Sequence, residues 1–247
     1  MTDHVSDESV QQLLDGFVAS TSALPVEAIW VHGSLALGDF VPSRSDLDLV
    51  CVVAGQPDPA TIKAIHRPLT SSLGRRVHCT YVPVDALADP ELRHPTFAQG
   101  HYLARPVTPV TRRELALGGS ALLGPLPSSL LPATTDEDLA AFIRRDLLTF
   151  WHPVTAKRTP WLRDTWIDLG MLTLARAETT LRTGALITKQ AALAHLRALG
   201  APGAVVADIH SRRYGGPVDR SLSWRRHRAE LTRSYLRAKI PAVAAPS

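Results

Sequence analysis

The amino-acid sequence predicts an α+β fold, with an N-terminal α/β domain over residues 1–133 and a C-terminal all-α helical bundle over residues 134–247. Two observations support this division. Short apolar runs alternate with helical segments in the first half, as they do in α/β domains. From Asp136 onward the apolar residues instead recur with helical spacing. The length of the chain allows each part to have its own core.

The predicted N-terminal domain begins with a helix over residues 6–22, where four apolar residues between Val10 and Phe17 form a stripe. Three apolar runs then predict strands, and one further segment predicts a helix. The strands cover residues 28–31, 47–53 and 76–82, and the helix covers residues 60–73. Residues 89–133 are interrupted by proline and glycine, and we assign no element to them.

The C-terminal half predicts four helical segments. They cover residues 136–151, 161–183, 189–199 and 205–240. The first has an acidic start, which suits the positive end of a helix dipole. Gly184 is placed to end the second helix, and Thr188 is placed to cap the third. The last segment is rich in arginine.

The composition excludes several classes of protein. Cys51 and Cys79 are too few for a disulfide-rich secreted scaffold, and we expect them to be buried free thiols. No run of about 18 apolar residues could span a membrane, and the acidic, polar N-terminus lacks the pattern of a signal peptide. The net charge is only +4, with 23 arginines and four lysines, so nucleic-acid binding is not expected. These features favour a cytoplasmic protein.

Residues 30–52 carry the side chains most typical of a reaction site. Asp46 and Asp48 are separated by one residue on a predicted strand, so their side chains project from the same face. Two adjacent carboxylates repel each other unless a cation lies between them, and Mg²⁺ prefers carboxylate oxygens together with substrate phosphates. Gly33 and Ser34 follow another strand, where an open backbone and a hydroxyl can approach a phosphate. The motif therefore predicts a metal-assisted phosphate site.

This order of a hydrophobic residue, Gly-Ser, a spacer and Asp-x-Asp resembles the DNA polymerase β-like nucleotidyltransferase superfamily. The C-terminal half resembles, within it, the aminoglycoside adenylyltransferases that modify streptomycin and spectinomycin. In that family an arginine closing a Leu-Thr-Leu run and a lysine thirteen residues later reach the ATP phosphates, and Arg176 and Lys189 match both in type and spacing. Lys189 also falls in the first turn of a predicted helix, where an anion is favoured.

The resemblance implies a Mg²⁺-dependent enzyme whose first domain has a mixed sheet flanked by helices. It implies transfer of AMP from ATP to a hydroxyl of a small molecule, an aminoglycoside or aminocyclitol, with release of pyrophosphate and a role in antibiotic resistance. The metal ligands would be Asp46 and Asp48. The nucleotide-binding residues would be Gly33, Ser34, Arg176 and Lys189.

The sequence departs from the family at one position. Members usually carry a third carboxylate on the next strand, and His78 stands at that place in the run over residues 77–80. A histidine is a competent general base near neutral pH, although it is a poorer Mg²⁺ ligand than a carboxylate. Three interpretations remain open. His78 is the base, the protein is inactive, or another carboxylate such as Asp39, Asp85 or Glu91 takes its place or the assumed register is wrong.

The acceptor site is less defined by the sequence. The family holds its cationic acceptors with acidic residues and a tryptophan, and cation–π contact would be one route. The candidates are Phe97, Trp151, Trp161, Trp166, Asp164 and Asp168. None of them falls convincingly on a family position, and each is more often a core residue or a solvated charge.

Three other functions are compatible with the same motifs. The protein could adenylylate another protein, as antitoxins do, and Arg220 and His227 faintly resemble the ribonuclease motif of the partner helical family. It could be a nucleotide-binding relative that lost activity with the third carboxylate. It could extend RNA, although the Arg-rich C-terminal segment lacks the interleaved aromatic residues expected for base stacking.

Overall fold

The computed structural model of the protein describes residues 7–41 and 44–246. Its backbone separates into two compact units, the first ending at Thr134 and the second beginning at Thr135. The first unit contains a mixed sheet with flanking helices, and the described part of the second contains helices without a strand. The predicted α+β fold class is therefore confirmed.

The first unit alternates strands and helices. Its strands are β1 (Val26–His32), β2 (Leu47–Val53), β3 (Val77–Pro83), β4 (Arg93–Ala98), β5 (His101–Pro106) and β6 (Ser120–Leu123). Its helices are α1 (Asp7–Ser20), α2 (Gly33–Ala36), α3 (Pro59–His66), α4 (Pro109–Gly118) and α5 (Pro127–Leu130).

The six strands form one sheet in the order β5-β4-β3-β2-β1-β6. β2 and β3 are parallel, whereas the other neighbouring strands are antiparallel. The parallel pair requires a crossover connection, and α3 lies within it. Since β2 and β3 begin at the same edge of the sheet, Asp48 and His78 become register partners near the two strand starts.

Both faces of the sheet are buried. Successive side chains of a strand point to opposite sides, so neighbouring residues of β2 belong to different core clusters. Leu49 belongs to a core cluster that includes Phe17 of α1. Val50 belongs to a second cluster on the other face, which includes Trp30 and Leu115 of α4. The central strands are therefore apolar along most of their length, and polar side chains on them stand out.

The structure corrects two predictions in this unit. α3 ends at His66 rather than at residue 73, because Pro68 has no backbone N–H with which to continue the helical hydrogen bonds. Residues 89–133 form β4, β5, α4, β6 and α5. The strand pattern there was obscured by proline, which the edge strand β5 tolerates at Pro106.

The second unit is a set of helices. They are α6 (Asp136–Asp146), a π-helical turn (Leu147–Trp151), α7 (His152–Val154), α8 (Asp164–Thr183), α9 (Lys189–Ala198), α10 (Gly203–Tyr214) and α11 (Leu222–Ala244). The predicted helical segment over 205–240 consists of two helices, because Gly215 and Gly216 have positive φ angles and separate α10 from α11.

A buried ionic network connects three helices of this unit. The Arg228 guanidinium on α11 is 1% exposed and donates to Asp208 of α10 at 2.7 Å and to Asp164 of α8 at 2.6 Å. Asp208 also accepts from Arg212 at 3.0 Å and from the Trp224 indole at 3.1 Å. These bonds pair the buried Arg228 charge with two carboxylates, and an unpaired buried charge would be costly.

Within the described ranges, no helix has both the length and the apolar character needed to cross a lipid bilayer.

Candidate active site

Asp46 and Asp48 lie at the start of β2 and flank Leu47, which is fully buried in the core. Because side chains alternate along a strand, the two carboxylates share the face opposite to Leu47. Their side chains are 36% and 34% exposed, so both remain accessible to solvent and ligands. Residues 42 and 43 of the same motif lie outside the described residues.

Three neighbouring strands bring two histidines to either side of Asp48. His32 is the last residue of β1 and pairs with Asp48 in the antiparallel register. His78 is the second residue of β3 and pairs with Asp48 in the parallel register. We refer to His32, Asp48 and His78 as the polar row. The row lies at one edge of a sheet that is otherwise apolar at its centre.

The His78 imidazole lies between the two aspartates. Its Nδ1 atom is 3.5 Å from Asp48 Oδ1, and its Nε2 atom is 3.7 Å from Asp46 Oδ1. The side chain is mostly buried, and Nε2 makes no hydrogen bond within the described part of the chain. The predicted catalytic residues Asp46, Asp48 and His78 are thus brought together in space.

Gly33 and Ser34 form the first turn of α2, directly after β1. Gly33 has a φ angle of +67°, which few other residues adopt. A Cβ atom at this position would lie 2.6 Å from Asp48 Oδ2, well inside van der Waals contact. The glycine therefore allows the Asp48 carboxylate to lie against the backbone at the start of α2.

A cavity of about 100 Å³ opens beside Asp48 on this face of the sheet. Its polar lining consists of His32, Asp48, His78, Thr80, Arg105 and Thr111. Val50 and Val107 contribute apolar walls. The cavity thus includes the whole polar row and reaches α4 and the end of β5.

His32 forms an ion-pair contact that the sequence did not predict. Its Nδ1 atom is 3.1 Å from Oε2 of Glu114, which lies on α4. The two side chains are 14% and 9% exposed. The sequence did not predict Glu114 as a partner, because residues 89–133 had no assigned element.

Arg176 and Lys189 belong to the second unit. Arg176 lies on α8, and its Nε–H donates to the backbone oxygen of Ile187 at 3.0 Å. Ile187 precedes α9 by two residues, and Lys189 is the first residue of that helix. The structure therefore brings Arg176 next to the segment that carries Lys189. Their assignment to nucleotide phosphates stays a prediction.

The three alternative carboxylates are placed away from the cavity lining. Asp39 lies in the loop after α2 and donates its N–H to Ser34 O at 2.9 Å. Asp85 lies in the turn that follows β3, at the strand end opposite to His78. Glu91 is exposed between β3 and β4. None of the three lines the cavity beside Asp48.

The tryptophan candidates for acceptor binding form an aromatic cluster in the second unit. Trp161 is fully buried and Trp151 nearly so, which is typical of core residues. Trp166 is half-buried and stacks on the exposed ring of Phe150, with centroids 6.2 Å apart. Trp166 is therefore the most accessible of the three predicted tryptophans.

The remaining acceptor candidates already have internal partners. Asp164 accepts from Arg228, and Asp168 is 2.6 Å from Arg212. Burial raises the pKa of Asp168, and the neighbouring Arg212 opposes this shift. Phe97 stacks on a buried histidine in the first unit. These three side chains contribute to packing and ion pairing in their own units.

The two aspartates are suited to a Mg²⁺ ion. In the described residues, no group of three or more His, Cys, Asp and Glu side chains could hold a metal ion by itself. Mg²⁺, however, commonly binds through one or two carboxylates, completed by water and substrate phosphates. Asp46 and Asp48 are accessible, share one face, and lie beside a glycine that leaves room for Asp48. The donor set therefore fits a metal that binds together with a phosphorylated substrate.

Comparison with known proteins agrees with this geometry. Residues 14–93, which include the polar row, match the family described as nucleotidyltransferase domain. A comparison with curated proteins finds none that matches. Among solved structures, the chain is similar to spectinomycin adenyltransferase AAD(9) from Enterococcus faecialis, crystallised with ATP and spectinomycin. The TM-score is 0.68 at 16% identity, and the similarity covers 93% of this chain and 98% of that one. Residues 14–93 are therefore similar to a nucleotidyltransferase domain, and the chain as a whole shares the fold of spectinomycin adenyltransferase AAD(9).

Proposed function

We propose that the protein is a Mg²⁺-dependent nucleotidyltransferase that moves AMP from ATP to a hydroxyl of a small molecule and releases pyrophosphate. The observation that carries this proposal is the placement of Asp46 and Asp48 on one face, at the start of β2 and beside the Gly33 turn. The match of residues 14–93 to a nucleotidyltransferase domain supports the reaction class.

In this proposal Asp46 and Asp48 hold the metal through their carboxylate oxygens. A bound Mg²⁺ supplies positive charge that offsets the negative charge of the triphosphate during transfer. The acceptor oxygen forms a bond to the α-phosphorus, and the bond between that phosphorus and the α,β-bridging oxygen breaks. Pyrophosphate leaves with the bridging oxygen.

His78 is the proposed base that takes the proton of the acceptor hydroxyl. Its ring contacts both carboxylates, so an acceptor hydroxyl beside the proposed metal ligands is within its reach. An imidazole can perform this step near neutral pH. In this proposal the neutral imidazole of His78 takes over the role of the third carboxylate that members of the resembling family carry.

The nucleotide phosphates are assigned to two groups of residues. Gly33 and Ser34 offer a close backbone approach and a hydroxyl at the start of α2. Arg176 and Lys189 are the two cationic residues that the family resemblance assigns to the phosphates. The expected effect of Arg176→Ala or Lys189→Ala is a raised KM for ATP with a smaller change in the KM for the acceptor.

The proposed acceptor is an aminoglycoside or aminocyclitol, and the enzyme would then confer antibiotic resistance. The fold similarity to an adenyltransferase crystallised with ATP and spectinomycin supports a nucleotide and a small-molecule acceptor. Trp166 is the most accessible predicted residue for contact with such a cation. Nucleic acid is not a proposed partner. The buried free thiols of Cys51 and Cys79 are compatible with the expected cytoplasmic location.

The decisive experiment is pyrophosphate release from Mg-ATP against a panel of aminoglycosides and aminocyclitols. The Asp48→Asn variant is the control, and Asp46→Asn is a second one. Acceptor-dependent release that both variants abolish, with unchanged circular dichroism, would support the proposal. Full activity in both variants would overturn the metal assignment.

If no acceptor in the panel causes pyrophosphate release but the protein still binds ATP, the result would instead support one of the alternatives. An inactive nucleotide-binding relative is favoured by the absence of a carboxylate at His78. Protein adenylylation would show as AMP-modified protein in a co-expressed partner, detected by mass spectrometry. Arg220 and His227 are both exposed, in the loop before α11 and on α11.

A further inference from the structure

The pair formed by His32 and Glu114 has no role in the function proposed above. Glu114 reaches the site from α4, 82 residues along the chain from His32. Its carboxylate is buried, and burying a charged group is costly unless it is paired and hydrogen-bonded. The 3.1 Å contact with His32 Nδ1 supplies such a partner. The two side chains therefore form a buried polar pair within the site.

The contact with Glu114 determines the tautomer and the orientation of the His32 ring. An ionised carboxylate can only accept hydrogen bonds, so with Glu114 ionised the shared proton lies on His32 Nδ1. This contact fixes the orientation of the imidazole plane, as carboxylates do for metal-binding histidines. The ring nitrogen that remains for a ligand is Nε2, and His32 lines the cavity beside Asp48.

The position of His32 indicates which part of the substrate it meets. It immediately precedes Gly33 and Ser34, which we assign to phosphate binding, and it lies on the opposite side of Asp48 from the proposed base His78. Attack on the α-phosphorus places the acceptor and the leaving pyrophosphate on opposite sides. With the acceptor beside His78, the leaving group would lie toward His32.

The cavity lining also favours an anion. Its titratable residues are His32, His78, Arg105 and Asp48. Arg105 is cationic and His32 can carry a positive charge, and the single carboxylate of the lining is the one assigned to the metal. A phosphoryl group therefore suits this cavity better than a cationic acceptor does.

We propose that the cavity receives a phosphoryl group of the nucleotide, that His32 contacts its oxygen through Nε2, and that Glu114 is a positioning residue acting through His32. When the ring carries both protons, Nδ1–H stays on Glu114 while Nε2–H donates to the phosphoryl oxygen. The inference rests on the proposed use of a nucleoside triphosphate, and it adds residues to the phosphate site that the family resemblance does not supply.

The test measures binding rather than turnover, so that it does not depend on knowing the acceptor. Inorganic pyrophosphate and ATP, each with Mg²⁺, are titrated into the full-length protein by isothermal titration calorimetry. His32→Gln is expected to weaken both affinities by about tenfold, the value of one charge-assisted hydrogen bond. His101→Gln, an exposed histidine on β5 outside the cavity, is the matched control and should bind both probes like the wild type.

A double-mutant cycle tests the positioning role of Glu114. Glu114→Gln alone is expected to weaken pyrophosphate binding, and in combination with His32→Gln it should add little further loss. Full additivity would overturn the claim that Glu114 acts through His32. Thermal melts of each variant identify a loss that comes from unfolding.

A measurement on the wild type remains informative if a variant fails to fold. Nitrogen-15 spectra of the histidine rings should show the His32 signals shifting on addition of pyrophosphate, while the His101 signals stay fixed. Unchanged His32 signals at saturating pyrophosphate would overturn the inference and leave the proposed function standing. If the wild type binds neither pyrophosphate nor ATP, both the inference and the proposed function are wrong.

Discussion

Gly33 and Asp48 approach each other so closely that a Cβ atom on the glycine would lie 2.6 Å from the aspartate Oδ2 atom. This contact connects the turn at the end of β1 with the carboxylate on β2. The position of a proposed metal ligand therefore depends on the absence of a side chain at residue 33.

Gly33→Ala is expected to reduce both stability and activity. The left-handed φ angle of +67° should cost about 1–2 kcal/mol for a residue with a Cβ, and the new methyl group must displace the Asp48 carboxylate. Urea unfolding and pyrophosphate release measure the two effects. Gly16→Ala in α1 is the control, because its Cβ meets nothing within 4 Å and should leave activity unchanged. Full activity in Gly33→Ala would show that transfer does not need Asp48 in this position.

Substitutions at His78 should separate proton transfer from packing. His78→Ala is expected to lower kcat by about 10²–10⁴-fold, the usual contribution of a general base. His78→Glu restores the carboxylate that the resembling family carries and should retain more activity than His78→Gln, which cannot accept a proton at neutral pH. The measurement is kcat for the acceptor found in the panel. Equal activity in the Ala, Gln and Glu variants would contradict the base assignment.

His66 should make the protein sensitive to mild acid. Burial, with a smaller contribution from His78, lowers the pKa of His66 from 6.5 to about 4. Below pH 6.5 the unfolded chain binds a proton that the folded chain does not, so stability is lost as the pH falls from 6.5 toward 4. Between pH 7 and 5 this group should account for about 2 kcal/mol of the loss.

The His66→Gln variant tests this linkage, because glutamine does not titrate in that range. Its free energy of unfolding, measured by urea at several pH values, should fall less steeply between pH 7 and 5 than that of the wild type. Parallel curves for the two proteins would show that His66 is not the responsible group.

Breaking the buried ionic network should destabilise the second unit. Arg228→Met leaves Asp208 short of one buried partner, and we expect a loss of about 3 kcal/mol in the free energy of unfolding. Asp164→Asn changes the half-exposed partner of the same arginine and should cost about 1 kcal/mol or less. Adding Asp208→Asn to Arg228→Met should recover part of the loss. Thermal or urea unfolding of the four proteins measures these differences.

Sequence reasoning predicted the parts of the fold that local patterns define. The apolar runs of β1, β2 and β3 and the helical stripe of α8 appear close to their expected bounds. The one-residue spacing of Asp46 and Asp48 was enough to place both carboxylates on one face. The resemblance predicted that His78 lies next to them on the following strand, and the parallel register of β2 and β3 agrees with this prediction.

The unpredicted parts depend on contacts between distant segments. The β4–β5 hairpin is stabilised by pairing with β3 and contains prolines that conceal its alternation. The contact between His32 and Glu114 joins β1 to a helix whose existence was not predicted. A local pattern holds no information about which buried carboxylate will meet which imidazole.

The backbone that carries the polar row is held on both sides. β2 is the central strand of three, and Asp48 is paired with His32 in one ladder and with His78 in the other. The amides of this strand should therefore be among the slowest in the molecule to exchange with deuterium. Because both neighbouring strands hold this backbone, the polar row cannot easily be rearranged by backbone movement. Divergence toward a new acceptor would have to arise in the surrounding loops and helices, while the reacting groups stay where the sheet holds them.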